Sequence, residues 1–248
     1  MDRRRYVSSL VFRLSLIILA LLLGLRATYV AEGGPKAWIL AGLFGVTAAA
    51  LMIRPLLVPN GTQGSVPYSL GPAFFLAGLF LVPAGPLVAS IAFAIALSGL
   101  VTATRPHKIL FNLSVAVLTY AAPSLLMRLG SHGANAAIPG PDLVGVEVLL
   151  SAAVLVCQLL LRSVALRLER GHETPHWGAF QGPALVEAFY CLALSVPISV
   201  LARIHVALLA FVYLNIGVTW WFMERYRLRV RALAQTAETM DDPDRRVA

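Results

Sequence analysis

RPHKILFNLSVAVLTYAAPSLLMR, residues 105–128, is the stretch that decides the fold. A basic entry with Pro106 leads into an apolar run interrupted by Asn112 and Thr119. About 20 such residues carry a helix across the hydrocarbon core of a bilayer, and proline suits a first helical turn, where its missing N–H has no partner to lose. The design recurs along the chain, in runs at residues 7–25, 37–53, 68–82, 86–103, 108–127, 142–162, 184–202 and 205–223. The expected fold is therefore all-α: a polytopic helical membrane bundle of about eight transmembrane helices over residues 1–223, followed by a cytoplasmic basic helix or linker over 224–248.

Composition agrees. With 58% hydrophobic and 13% charged residues in 248, the chain is too apolar and too poor in charge for a soluble domain. The net charge of +8 does not imply nucleic acid, because Lys and Arg sit between the apolar runs and not on one soluble face. The two cysteines, Cys157 and Cys191, both fall in apolar runs, so neither a disulfide framework nor a zinc cluster is expected.

The start, MDRRRYVSSLVFRLSLIILALLLGL, has the basic and apolar regions of a signal peptide and a hint of a twin-arginine signal. No clear small-residue cleavage site follows, so residues 7–25 are read as an uncleaved first span. With the N-terminus inside, one side collects Arg3, Arg4, Arg5, Arg54, Arg105, Lys108, Arg162, Arg167, Arg170 and the arginines from Arg225 onward. The other receives Arg26, Lys36, Arg128 and Arg203. Positive residues collect on the cytoplasmic side, so an even number of spans with both termini cytoplasmic is expected.

Small residues in the third and fourth runs, among them Gly71, Gly78, Ser90, Ala94 and Ser98, allow close helix packing where lipid supplies no hydrophobic drive. In the fifth run Asn112, Ala116, Thr119 and Pro123 share one face, which should point into the bundle. Glu147 and Glu187 lie toward the ends of their spans, and Gln158, Tyr190, Tyr213 and Asn215 lie deeper. Polar groups at membrane depth mark functional sites or interhelical hydrogen bonds. A central polar pocket of Asn112, Thr119, Glu147 and Asn215 is the expectation, open to a small ligand of unknown identity. Past the last span, Ile216, Thr219, Met223, Tyr226, Val230, Leu233, Ala237 and Met240 alternate by three and four residues. Tyr226, Val230, Leu233 and Ala237 then form a short heptad seam for a parallel homodimer that hands on a membrane signal, or else a basic helix lies on anionic lipid.

The order SLGPAFFLAGLFLVPAGPLVASIAFAIA, RPHKILFNLSVAVLTYAAPSLL, a long span, and a basic loop ending in tryptophan (LRLERGHETPHW) resembles the multi-pass membrane domain upstream of HD-GYP and GGDEF domains in bacterial cyclic dimeric GMP signalling proteins. The likeness covers about residues 65–240, and its most specific part is a basic residue, a short gap and the pair Phe111-Asn112. The tail ALAQTAETMDDPDRRVA is similar to the helix and Asp-Pro turn that lead into an HD-GYP domain. The resemblance implies a sensory input module of the bacterial inner membrane that acts on a cytoplasmic output domain or protein. It carries over no catalytic residue and no cofactor.

His172-Glu173-Thr174-Pro175-His176 matches HExxH, in which two histidines one helical turn apart hold zinc. Pro175 inside the motif and Gly171 before it oppose the required helix, so His172 and His176 are weak metal candidates. Walker, dinucleotide, GxSxG and CxxC motifs are all missing. Three functions remain in order: a sensory input domain, a small-molecule carrier or substrate-binding membrane component, and an intramembrane metalloenzyme.

Overall fold

The computed structural model describes residues 3–29, 34–59, 65–130, 141–170 and 183–241. Its helices are α1 (Arg3–Tyr29), α2 (Pro35–Ile53), α3 (Gly71–Leu81), α4 (Ala84–Val101), α5 (Pro106–Gly130), α6 (Pro141–Arg170), α7 (Pro183–Ile204) and α8 (Leu209–Asp241), the last preceded by a 3-10 turn at Val206–Leu208. Strands β1 (Leu56–Pro59) and β2 (Ser65–Tyr68) pair antiparallel between α2 and α3, with Leu56 opposite Tyr68 and Pro59 opposite Ser65. Proline opens α2, α5, α6 and α7, as expected at a position whose N–H has no helical acceptor. Among the described residues seven helices are long and apolar enough to cross a membrane, and the chain is a multi-pass helical membrane protein.

One of the eight expected runs, the third, gives a helix shorter than a span. Residues 68–82 read as one apolar run, yet α3 is only 11 residues, about 16 Å at 1.5 Å per residue and half a hydrocarbon core. Prolines set both of its limits. Pro72 stands in its first turn, and Pro83 forces Val82 into the extended conformation at φ −120° and ψ 137°. The chain still travels along α2. A side chain at Gly71 would meet Ala48 and Met52, whereas Gly78 lies against Phe44 and Leu87, and Gly45 lies against Ser90. Helix α4 thus runs parallel to α2, and α3 with its extended arm has returned the chain to the face where α2 began.

Two further contacts fix the directions. Gly99 abuts Ile109, so α5 reverses α4, and Arg13 lies over the Phe111 ring at 5.6 Å, so α1 runs alongside α5. Thr47 meets Tyr213 and Arg54 lies over Trp220 at 5.9 Å, so α8 runs with α2. The start of α1 and the end of α8 therefore lie on the same face. The core gathers Phe44, Phe74, Leu76, Leu87, Ile91 and Tyr120, all under 2% exposed, where α2, α3, α4 and α5 meet. Leu21, Leu22, Ile39, Leu100 and Leu149 are exposed, which is the lipid-facing side of the same bundle.

Helix α4 ends in a Schellman motif. Thr104 N–H bonds Gly99 O at 2.8 Å and Ala103 N–H bonds Leu100 O at 3.2 Å, with Ala103 at φ 51° where glycine is usual.

Candidate functional site

Helices α6 and α7 bring buried polar side chains together at two depths. Nearer the face where α7 ends, Glu147 of α6 is 3% exposed and pairs with Arg203 of α7 at 2.5 Å. The Ser199 hydroxyl donates to the other carboxylate oxygen, Oε2, at 2.6 Å. Such a pair in low dielectric holds only when both charges are met by close partners; here Oε2 accepts the Ser199 hydroxyl, while Oε1 faces the Arg203 guanidinium as an ion pair without hydrogen-bond geometry. A turn further along α6, Ser151 is fully buried and its Oγ has no hydrogen-bond partner among the described residues.

The second group surrounds the start of α3. Tyr120 of α5 is fully buried, donates to Gln158 Oε1 of α6 at 3.4 Å, and receives the Phe75 ring edge-on with centroids 5.6 Å apart. The Cys191 thiol donates to Ser69 O at 3.5 Å. The Glu187 carboxylate faces the Ser69 backbone N–H and the Arg162 guanidinium. Because α3 begins against α2 at Ala48 and Met52, its N-terminal end, which carries partial positive charge, lies inside the bundle. Glu187 is the carboxylate beside it. Discontinuous helices in membrane proteins place their ends at ligand and ion sites in this way.

The residues read from the sequence are distributed differently. Thr119 is buried, but its Oγ1 bonds the Val115 carbonyl of its own helix at 2.9 Å. Glu147 is buried in the ion pair. Asn112 is exposed, although Ile109 and Phe111 in the same turns of α5 meet Gly99 of α4 and Arg13 of α1. Asn215 is exposed too, and its Nδ2 bonds the Phe211 carbonyl one turn back at 2.7 Å. No hydrogen bond or ion pair joins any two of the four, and the structure does not assemble a pocket from them. His172 and His176 lie outside the described residues, as do the side chains of Val230, Leu233 and Ala237. Thr219 and Tyr226 of the seam are exposed, whereas Ile216 packs on the core, so the expected seam does not lie on one face of the bundle. Among the described residues no group of three or more His, Cys, Asp or Glu is placed to hold a metal.

Sequence reasoning passed over Arg203, Ser199 and Tyr120. One signal was present: Glu187, Cys191, Ser195, Ser199 and Arg203 recur at every fourth residue of α7, stacking on successive turns. Fold and site define an integral membrane protein with a polar row between two of its helices. Comparisons with protein-family models, characterised proteins and solved structures give no match.

Proposed function

We propose that this protein is a membrane-embedded input domain. A ligand, or a change in the bilayer, acts on the buried polar groups, and α8 passes the change to a cytoplasmic output domain or protein in cyclic dimeric GMP signalling. In this reading the membrane is the bacterial inner membrane, and the face that holds the start of α1 and the end of α8 is cytoplasmic, where the arginines collect.

The observation that carries the reading is the pair Phe74 and Phe75 on α3. Phe75 lies edge-on to Tyr120 in the polar group, while Phe74 stacks on Tyr213 of α8, 5.8 Å between centroids and 10° between planes. A shift of α3 would reach both at once, and packed contacts of this kind transmit small movements because they hold discrete arrangements. Helix α8 suits an output lever: its 33 residues extend about 50 Å, roughly 20 Å more than a hydrocarbon core needs.

The test joins a cyclase or HD-GYP output after Ala248 and removes one to four residues between Tyr226 and Asp241. Output should vary with the helical period and return near its starting level at about four residues. A flat response rules the lever out. A carrier is the second reading, favoured by the buried polar row of α6 and α7 and by the end of α3 inside the bundle. It requires solute uptake into proteoliposomes that Glu187→Gln abolishes.

A further inference from the structure

The least covered of the seven spans is α8. Eleven per cent of its apolar segment is buried, against 56% for α4, and Asn215 stands near the middle of the Val206–Tyr226 span on the uncovered side. One N–H of its amide is used on the Phe211 carbonyl, and the Oδ1 has no partner among the described residues. An amide at this depth has hydrocarbon for surroundings, and polar groups in such places face a protein partner or a wet cavity. Phe211, Val218 and Phe222 lie on the same side, exposed by 62%, 44% and 61%. Counted from Phe211, the intervals to Asn215, Val218 and Phe222 are four, three and four, the spacing of a pairing seam.

We propose that this stripe is an interface with a second copy of the same chain, in which Asn215 of one copy hydrogen-bonds Asn215 of the other. The chemistry selects the occupant. An amide carries both donor and acceptor, so it is its own complement. Two copies inserted in one membrane share one orientation, so a two-fold axis along the membrane normal sets the two side chains at the same depth. A different protein would need a matching polar group at that depth, and lipid tails offer none. The stripe meets Arg225 at the end of the span and Arg229 beyond it, where like charges oppose closer approach. Contact is therefore within the bilayer, on a different face from Ile216, which packs against its own bundle. The interface rests on Asn215 and not on the input-domain reading.

The experiment uses the whole chain in native membranes, with Cys157→Ala to remove the exposed thiol. Val218→Cys and, separately, Ile216→Cys are oxidised with copper phenanthroline. Val218→Cys should give a disulfide-linked dimer and Ile216→Cys should not. Adding Asn215→Leu to Val218→Cys should lower the linked fraction about tenfold on dilution with lipid, and Asn215→Gln should keep it. Among the described residues the Asn215 side chain hydrogen-bonds only Phe211 O of its own helix, so its replacement breaks no hydrogen bond to another helix. Equal linking from both positions, or a fraction indifferent to Asn215→Leu, overturns the interface and leaves lipid on this face.

Discussion

Replacing Arg203 with methionine tests whether the Glu147 pair is truly desolvated. Glu147 is 3% exposed and the Arg203 side chain 14%, so the substitution leaves a carboxylate with only the Ser199 hydroxyl for company. Removing one member of a buried pair costs about 3–5 kcal/mol, because the survivor remains buried without compensation. At about 2–4 °C per kcal/mol for a chain of this size, the lower figure alone is a fall in Tm of about 6–12 °C. Glu147→Gln should cost less, about 1–2 kcal/mol, since Arg203 stands in the last turn of α7 and its long side chain can reach toward the membrane surface. The double variant Glu147→Gln/Arg203→Met removes both charges and should recover to within about 1 kcal/mol of the parent. Cys191, 1% exposed, supplies the assay: with Cys157 replaced, a fluorogenic maleimide reacts only as the bundle opens on heating in detergent. A loss below about 1 kcal/mol for Arg203→Met, the range of exposed pairs, would show that water reaches the pair and refute the reasoning.

Three more outcomes are expected in the same assay. Gly45→Leu should cost about 1–3 kcal/mol, because a β-carbon there already meets the Ser90 backbone at 3.2 and 3.3 Å, so α2 and α4 must separate. Ala103→Gly should raise stability by about 1 kcal/mol, since glycine adopts the left-handed conformation of this residue, φ 51°, without the β-carbon clash. Tyr213→Phe removes the 3.3 Å hydrogen bond with Thr47 but keeps the stack on Phe74, so it should cost about 0.5–1 kcal/mol, whereas Tyr213→Ala should cost about 3 kcal/mol and disturb the output of the fusion.

Most of the architecture was legible in the sequence because each cause is local. Runs of apolar residues long enough to cross a bilayer, opened by Pro35, Pro106, Pro141 and Pro183, became helices that start at those prolines. The third run failed for an equally local reason that hydropathy does not register. Leu70, Gly71 and Leu81 are as apolar as any span, but Pro72 and Pro83 leave room for only 11 helical residues between extended segments. Counting apolar residues finds material for a crossing, and the backbone chemistry of proline decides how much of it is helix.

The site was less legible, and depth is the reason. Periodicity along one helix correctly grouped Ala116 and Thr119 on a buried face, yet it assigned Asn112 to the same face, where the structure leaves it exposed. Pairing across helices is harder still: Glu147 and its partners Ser199 and Arg203 are more than 50 residues apart, and no spacing rule within either helix relates them. What a single sequence does offer is the expense of a polar group at membrane depth. That criterion singled out Glu147, Gln158, Glu187 and Asn215 alike, and the structure gives the first three a protein neighbour within the chain. Asn215, treated by the same physics, has no hydrogen bond beyond its own helix among the described residues, and that is the observation on which the proposed interface rests.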